Sequence, residues 1–466
     1  MDTKPDIKRI YLAEGANDEG NAQCTLRTYP DRFLHSDALG WLQFTGSHWT
    51  DEKSEGTLDR AIISVLKGRI AAAATEDPEK YGRVISFCIP NRNRVTGTKD
   101  LYKSLVMATP ADFDRSIDHL NCPNGVIDLR TGELSPHSSR LKFTHCVKVE
   151  YKPDADPHMW VEWLSSMVEG GEEATKWLQI AVGYTLTGHT REEILFYLFG
   201  PPRSGKGTFT ETIMSLLGKP LAKEVEFGTF TGERSGDTQN FDLAPLRACR
   251  FVAASESNQH ERFNEAKVKR ITGGNEIYCA FKFGQPFNYR PQYKIWLSSN
   301  QPVNADPDDD AVWGRVRLVH FPKSFLGEED KLLKEGMKAP DMLQSVLAWA
   351  VEGAKLWYKL GKKGLPELES SKSLKVSQRA ELDNVQAWIE ECCVTNDTGI
   401  FTPNAELYQD YRRRCEREGV TPKQQKGFSH SLKKKGYADT SRRIQDKVYR
   451  GFMGLKLHPK IELANW

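Results

Sequence analysis

No stretch of this 466-residue chain is apolar for long enough to span a bilayer, and no apolar run at its start resembles a signal peptide. Membrane insertion and secretion are therefore not expected, and the cytoplasm, or that of a host cell, is the expected compartment. Charge of one sign is lacking too. With 65 Lys or Arg against 63 Asp or Glu, nothing global demands a polyanionic partner, so any basic surface has to be local. The nine cysteines are scattered, and the adjacent pair Cys392 and Cys393 lacks the two-residue gap of a zinc knuckle. Reduced thiols without a structural metal are expected. Neither internal repeats nor low-complexity tracts are present, which leaves a globular chain of about three domains.

Against these absences stands one dense segment, Gly200-Pro-Pro-Arg-Ser-Gly205-Lys206-Gly207-Thr208. The continuous apolar run before it, residues 194–199, predicts a buried strand. Residues 209–217, closed by Gly218, predict a helix and its cap. A strand, a glycine loop and a helix in that order form a phosphate cradle, because small residues let backbone N–H groups turn inward and the helix N-terminus adds partial positive charge. Gly200, Ser204, Gly205, Gly207 and Thr208 are the candidate cradle residues, and Lys206 reaches the outer phosphates. ATP with Mg²⁺ is the expected cofactor pair. One position departs from the usual loop: Gly207 stands where a metal-binding Ser or Thr follows the lysine, and Thr208 comes one place late.

Three further segments follow in a telling order. Residues 250–255 predict a strand that delivers Glu256, a carboxylate able to hold Mg²⁺ through water or to polarise the attacking water. Residues 294–299 predict a second buried strand ending in Asn300, whose amide can bond a γ-phosphate or that water; a plain turn Asn before Gln301-Pro302 is the alternative. Residues 313–322 place Arg315 and Arg317 on alternate positions of a strand. An arginine reaching a neighbour's ATP stabilises transition-state charge, whereas a solvated strand pair does nothing.

The order Lys206, Glu256, Asn300, Arg315 resembles the superfamily-three helicases, AAA+-like motors of small viruses, phages and plasmids, in the poxvirus and phage primase-helicase branch. Asn124-Gly-Val-Ile-Asp-Leu-Arg-Thr-Gly132 and Gly183-Tyr-Thr-Leu-Thr-Gly188 resemble that branch's domain preceding the motor, although Asn124 and Asp128 read by themselves as turn formers. Lys269-Arg-Ile-Thr-Gly-Gly-Asn275 resembles its signature between the carboxylate and Asn strands. The resemblance covers residues 115–325 and departs from the pattern at Gly207, Asn275 and Gly314; the last leaves Arg315 as the finger and Arg317 as a candidate second arginine.

The resemblance implies a ring, taken as a hexamer, that unwinds single-stranded and forked DNA in the 3′–5′ direction, with a separate primase or initiator as a further partner. Mg²⁺ would be held through Glu256, with Thr208 a second candidate. It also implies that the hairpin predicted over 276–291 projects into a central channel. There Lys282 and Arg290 would contact phosphates and Phe281, Phe283 or Tyr289 would stack on bases, Phe287 and Tyr289 being the more core-like. Residues 411–450 hold thirteen Lys or Arg against four acids. Helices predicted over 407–418 and 421–435, then strand-like residues 448–457, suggest a winged-helix module in which Lys433, Lys434 and Arg442 meet DNA.

The expected fold class is α/β: an AAA+-like P-loop core with an α+β N-terminal region and a small winged-helix-like C-terminal domain. The expected boundaries are 1–110 for the N-terminal region, 111–189 for the helicase-preceding domain, 190–360 for the ATPase core, 361–383 for a linker and 384–466 for the DNA-binding domain. The loop also resembles that of nucleoside monophosphate kinases, which would leave Asn300 and Arg315 idle. Primase activity is not expected within the chain, since Asp154-x-Asp156 and Asp306-x-Asp308 fall in Pro-rich loops.

Overall fold

The computed structural model describes residues 6–226, 228, 243–255, 263, 265–282, 284, 286–328, 330, 332–395 and 398–458. Two units form: residues 1–301 with 317–368, and residues 302–316 with 369–466. Among the described residues no helix is long and apolar enough to cross a membrane.

The first unit begins with helices around a small antiparallel sheet, Phe33–Ser36, Gly40–Phe44 and Trp49–Thr50. The helix expected over 57–74 spans Ser54–Glu76 and buries Ile62, Val65 and Leu66. Its Arg69 is buried as well. The guanidinium donates to Asn21 Oδ1 at 2.6 Å and to the carbonyls of Tyr11, Glu14 and Gly15, so its charge is fully hydrogen-bonded and holds the two N-terminal helices. The Asn-Gly hairpin is present, with Asn121 opposite Val126. Asn124 anchors Tyr151 by accepting from its N–H at 3.0 Å and donating to its carbonyl at 2.9 Å, and Asp128 pairs with Arg130, so both serve the turn.

A five-stranded sheet organises the rest of the unit. Its strands are β1 (Leu195–Phe199), β2 (Ala222–Glu226), β3 (Phe251–Ser255), β4 (Lys294–Ser299) and β5 (Val316–His320), in the spatial order β5-β1-β4-β3-β2. β1 with β4, β4 with β3 and β3 with β2 pair in parallel. Parallel strands are covered on both faces, which is why β1 is continuously apolar and β4 carries the buried run Ile295-Trp296-Leu297. Trp296 in β4 stacks 4.0 Å from Phe196 and packs on Phe209 and Phe251 at 5.4 and 5.6 Å. The registers Ser299 to Phe199 and Ser298 to Ser255 bring the carboxyl ends of β1, β4 and β3 level, so the segments after them emerge along one edge. The helix Lys206–Leu221 follows β1, and its geometry breaks at Gly218, where a cap was expected. Helices Gly171–Leu186 and Pro340–Leu360 cover the sheet together, with Tyr184 against Trp357 at 4.9 Å.

In the second unit, helices Asn384–Cys392, Asn404–Glu418 and Gln425–Lys434 enclose Trp388, Tyr411, Phe428 and Leu432. A three-stranded sheet has the order Phe401–Pro403, Lys447–Met453, Asp439–Ile444. The stretch 361–383, expected as a linker, contains the helix Glu369–Glu381. Its polar composition hid two anchors: Ser371 and Gln378 are buried, and Gln378 Oε1 accepts from the Val303 N–H at 3.2 Å. Arg315, expected on a strand, instead closes the helix Asp310–Arg315, which Asp309 caps by accepting from the Ala311 and Val312 N–H groups; Arg317 lies on β5.

Candidate functional site

The loop between β1 and its helix is built around one buried lysine. Lys206 Nζ donates to the carbonyls of Gly200 and Pro201 at 2.7 and 2.8 Å, to Ser204 Oγ at 3.0 Å and to Asn300 Oδ1 at 3.0 Å. Four neutral oxygens surround three N–H bonds, so one can be exchanged for an anionic oxygen at small cost. Burial pushes the Lys206 pKa down to about 8. The loop's sharp course needs glycine twice. A Cβ on Gly200 would stand 2.1 Å from the Phe321 carbonyl oxygen, and Gly205 caps the helix at φ 94°. Gly207 differs, for its nearest neighbours, Glu211 Oε1 and Lys334 Nζ, lie 3.8 and 3.9 Å from where a Cβ would be. A side chain would fit there, so packing does not dictate that glycine.

The loop lines a cavity of about 900 Å³, a size suited to a nucleotide. Ser204, Gly205, Lys206, Gly207, Thr208 and Asn300 all face it, as do Ser255 at the end of β3 and Glu224 on β2. Lys206 and Asn300, 94 positions apart in sequence, are thus brought into contact by the parallel register of β1 and β4. Glu256 lies outside the described residues. Among those described, no three His, Cys, Asp or Glu side chains are grouped to hold a metal. Thr208 is one of several hydroxyls lining the cavity, and such oxygens suit an Mg²⁺ ion that arrives with substrate phosphates and keeps most of its waters.

Among the lining residues that escaped the sequence analysis are Trp163, Met167 and Lys334. Trp163 and Met167, from the helix His158–Met167, lie 3.5 and 3.3 Å from a Cβ placed on Gly205, and the buried Trp163 indole N–H has no hydrogen-bond partner among the described residues. Their spacing reads only as a helix packing against a core. Lys334 pairs with Glu211 at 2.5 Å on the opposite wall, and an isolated lysine in a polar stretch carries no local signal.

Elsewhere the strands Ile277–Cys279 and Phe287–Tyr289 form the expected antiparallel hairpin. Phe287 and Tyr289 are buried, the Tyr289 hydroxyl donating to the Leu243 carbonyl, while Lys282 is exposed; Phe283 lies outside the described residues. Arg290 is exposed and pairs with Glu276 at 3.3 Å.

In the second unit the thirteen basic residues of 411–450 are mostly engaged. Lys423 bonds Asp306 and Asp308 at 2.8 and 2.5 Å, Lys433 bonds Asp439 at 2.5 Å and Lys434 bonds Asp310 at 2.5 Å. Lys435 pairs with Asp383, Arg414 and Arg417 with Glu391, and Arg450 with Asp439. Arg412 and Arg413 pair along their own helix. Among the described residues Lys426, Arg442, Arg443 and Lys447 stand in no ion pair, Arg442 lying over the Phe401 ring at 5.8 Å. The structure therefore ties up Lys433 and Lys434 and leaves Arg442 available, because acids distant in sequence supply the partners.

Comparison with known proteins bears on the same segments. Residues 22–169 match the family described as D5 N terminal like, and residues 198–315, which include the loop and Asn300, match a family of unknown function. A protein of Acanthamoeba polyphaga mimivirus named "Putative helicase" is 24% identical over 419 residues, 80% of this chain and 42% of that protein. These matches support a relationship to the superfamily-three-type primase-helicases of phages and viruses. A second relative within reach of this family, also named "Putative helicase" and from Invertebrate iridescent virus 3, is 23% identical over 367 residues, 66% of this chain and 38% of that protein. The chain thus spans less than half the length of these relatives. A solved structure, the apo structure of the NrS-1 C terminal region, shares the fold with a TM-score of 0.51 at 11% identity, covering 97% of this chain and 100% of that one.

Proposed function

We propose that the chain is an ATP-driven DNA helicase, a ring-forming 3′–5′ motor in the replication of a phage, plasmid or other mobile element. The contact between Lys206 and Asn300 at the level carboxyl ends of β1 and β4 carries this reading. A monophosphate kinase would have no use for that amide. Lys206 and the loop N–H groups hold the outer phosphates. Asn300, its oxygen committed to Lys206, offers its NH₂ donors to a phosphate oxygen or to the attacking water, and Glu256 takes that water's proton. Thr208 and Glu256 would hold an Mg²⁺ ion arriving with the phosphates, which when bound would supply charge neutralisation for phosphoryl transfer. Trp163 and Met167 provide the apolar wall for the base. The relatives named as helicases and the family assignment support DNA as the track.

Hydrolysis measured with and without single-stranded DNA tests this reading. Wild-type protein should be stimulated, and Lys282→Ala should keep basal hydrolysis but lose stimulation and unwinding, since it removes an exposed cation that is proposed for the channel and does not line the phosphate cavity. AMP-dependent ADP formation that is indifferent to DNA would mean a kinase instead.

Lys334 fits the same site as a second phosphate contact, its Nζ lying 3.9 Å from where a Cβ on residue 207 would be. Lys334→Ala should weaken ATP binding about tenfold in a fluorescent-nucleotide titration, as the loss of one charge-assisted hydrogen bond does. Lys338, which shares Glu211 but does not line the cavity, is the control: Lys338→Ala should leave affinity unaltered.

A further inference from the structure

The hairpin Asp439–Ile444 with Lys447–Met453 leaves its sheet as a bare ribbon. Its base is secured, with Gly451 and Phe452 buried and Phe401–Pro403 paired along it. Beyond that base every residue from 441 to 450 is exposed, on both faces. Gln445 and Asp446 close the tip with φ of 44° and 61°, a two-residue turn that keeps the strands tightly paired. The register sets Arg442 opposite Tyr449 and Ile444 opposite Lys447, so these four share one face; Arg443 and Val448 share the other. Val448 is 70% exposed, Ile444 41% and Tyr449 38%. Arg442, Arg443 and Lys447 belong to the few tail cations that stand in no ion pair among the described residues.

A two-stranded ribbon is marginal in water by itself, and apolar side chains at its tip are out of place on a free surface. The combination selects its occupant. Unpaired cations on both faces match phosphates on two sides, and apolar and aromatic groups between them match base faces. An intact duplex hides its base faces; the end of a duplex, where the strands part, presents them. We propose that this ribbon is a wedge for the junction between double- and single-stranded DNA. Arg442 and Lys447 track one parted strand, Arg443 tracks the other, and Tyr449 with Ile444 and Val448 covers the last base pair. The assignment rests on the helicase reading and adds to it the place where the strands are separated.

The full chain tests it with a forked DNA carrying 2-aminopurine at the first base pair, against a duplex of the same sequence closed by loops at both ends. Ile444→Ser, Val448→Ser and Tyr449→Ser together remove the apolar tip and keep its charges, and because all three residues are exposed the fold should be retained, as circular dichroism and basal hydrolysis will report. Wild-type protein should prefer the fork and brighten the 2-aminopurine. The triple variant should bind the loop-closed duplex unaltered while losing about tenfold in fork affinity together with the brightening. Replacing Arg442, Arg443 and Lys447 by Gln should weaken both DNAs and flatten the salt dependence. Retained fork preference and brightening in the apolar triple variant would overturn the wedge and leave the helicase reading standing. A change in its oligomeric state with unaltered DNA binding would make the ribbon a protein contact, again against the proposal. No DNA binding by the wild type would remove the nucleic-acid reading itself.

Discussion

Lys206→Ala protein is expected to lose ATP hydrolysis altogether and to bind ATP weakly. The ammonium is buried, and its contacts with the carbonyls of Gly200 and Pro201, Ser204 Oγ and Asn300 Oδ1 tie the loop to the neighbouring strand as well as to the phosphates it is proposed to hold. Alanine deletes the cation and frees the Asn300 amide, so charge neutralisation and the aim of the attacking water fail together. The lowered pKa adds a signature. With its pKa near 8, Lys206 is largely charged at pH 7 and largely neutral at pH 9. Phosphate requires the charged form, so binding above pH 8 should take up a proton and ATP affinity should fall as pH rises through that value. Calorimetry in buffers of different ionisation enthalpy measures the uptake; affinity that stays flat between pH 7 and 9 would place the phosphates elsewhere. Arginine at 206 should remove the pH dependence.

Arg315→Ala is the second large effect, and it tests chemistry and assembly together. Arg315 closes a short helix in the segment 302–316, which folds with the second unit, whereas Lys206 belongs to the first. In the proposed ring it is the finger that acts on a neighbouring subunit's ATP. A finger contributes about three to five decades of rate in GTPases, so homogeneous Arg315→Ala protein should be nearly silent, like Lys206→Ala protein. Mixing the two inactive variants should restore hydrolysis, because a subunit with intact Lys206 can borrow Arg315 from a Lys206→Ala neighbour. Steady-state hydrolysis across mixing ratios reads this directly, with subunit exchange verified by fluorescence transfer. If no mixture is active, the site is not shared, and if Arg315→Ala alone turns over normally the arginine is no finger.

The strands, the phosphate loop and the Asn-Gly hairpin were legible in the sequence because they depend on local rules. A buried parallel strand must be continuously apolar, a loop under a phosphate must be glycine-rich, and a helix must begin where the chain can turn into it. The edge where β3 and β4 end was legible for the same reason, as their apolar runs stop at Ser255 and at Ser298 and Ser299. Local rules misled where composition concealed a single buried contact. Residues 361–383 look like a linker until Gln378 is seen bonding Val303, and residues 310–315 look extended until Asp309 is seen capping them.

What the tertiary structure alone decided is which charges remain for work. The basic tail was evident by counting, but Lys423, Lys434 and Lys435 are taken by Asp306, Asp308, Asp310 and Asp383, and Lys433 by Asp439 on the next strand. In the same way Trp163 and Lys334 reach the phosphate loop only because separate helices converge on it. The amino-acid sequence by itself determined the elements and the chemistry they carry, since those follow from neighbours along the chain. Pairing among distant side chains depends on three-dimensional distance, to which an ion pair's energy is sensitive within a few ångströms, and that distance exists only once the chain has folded.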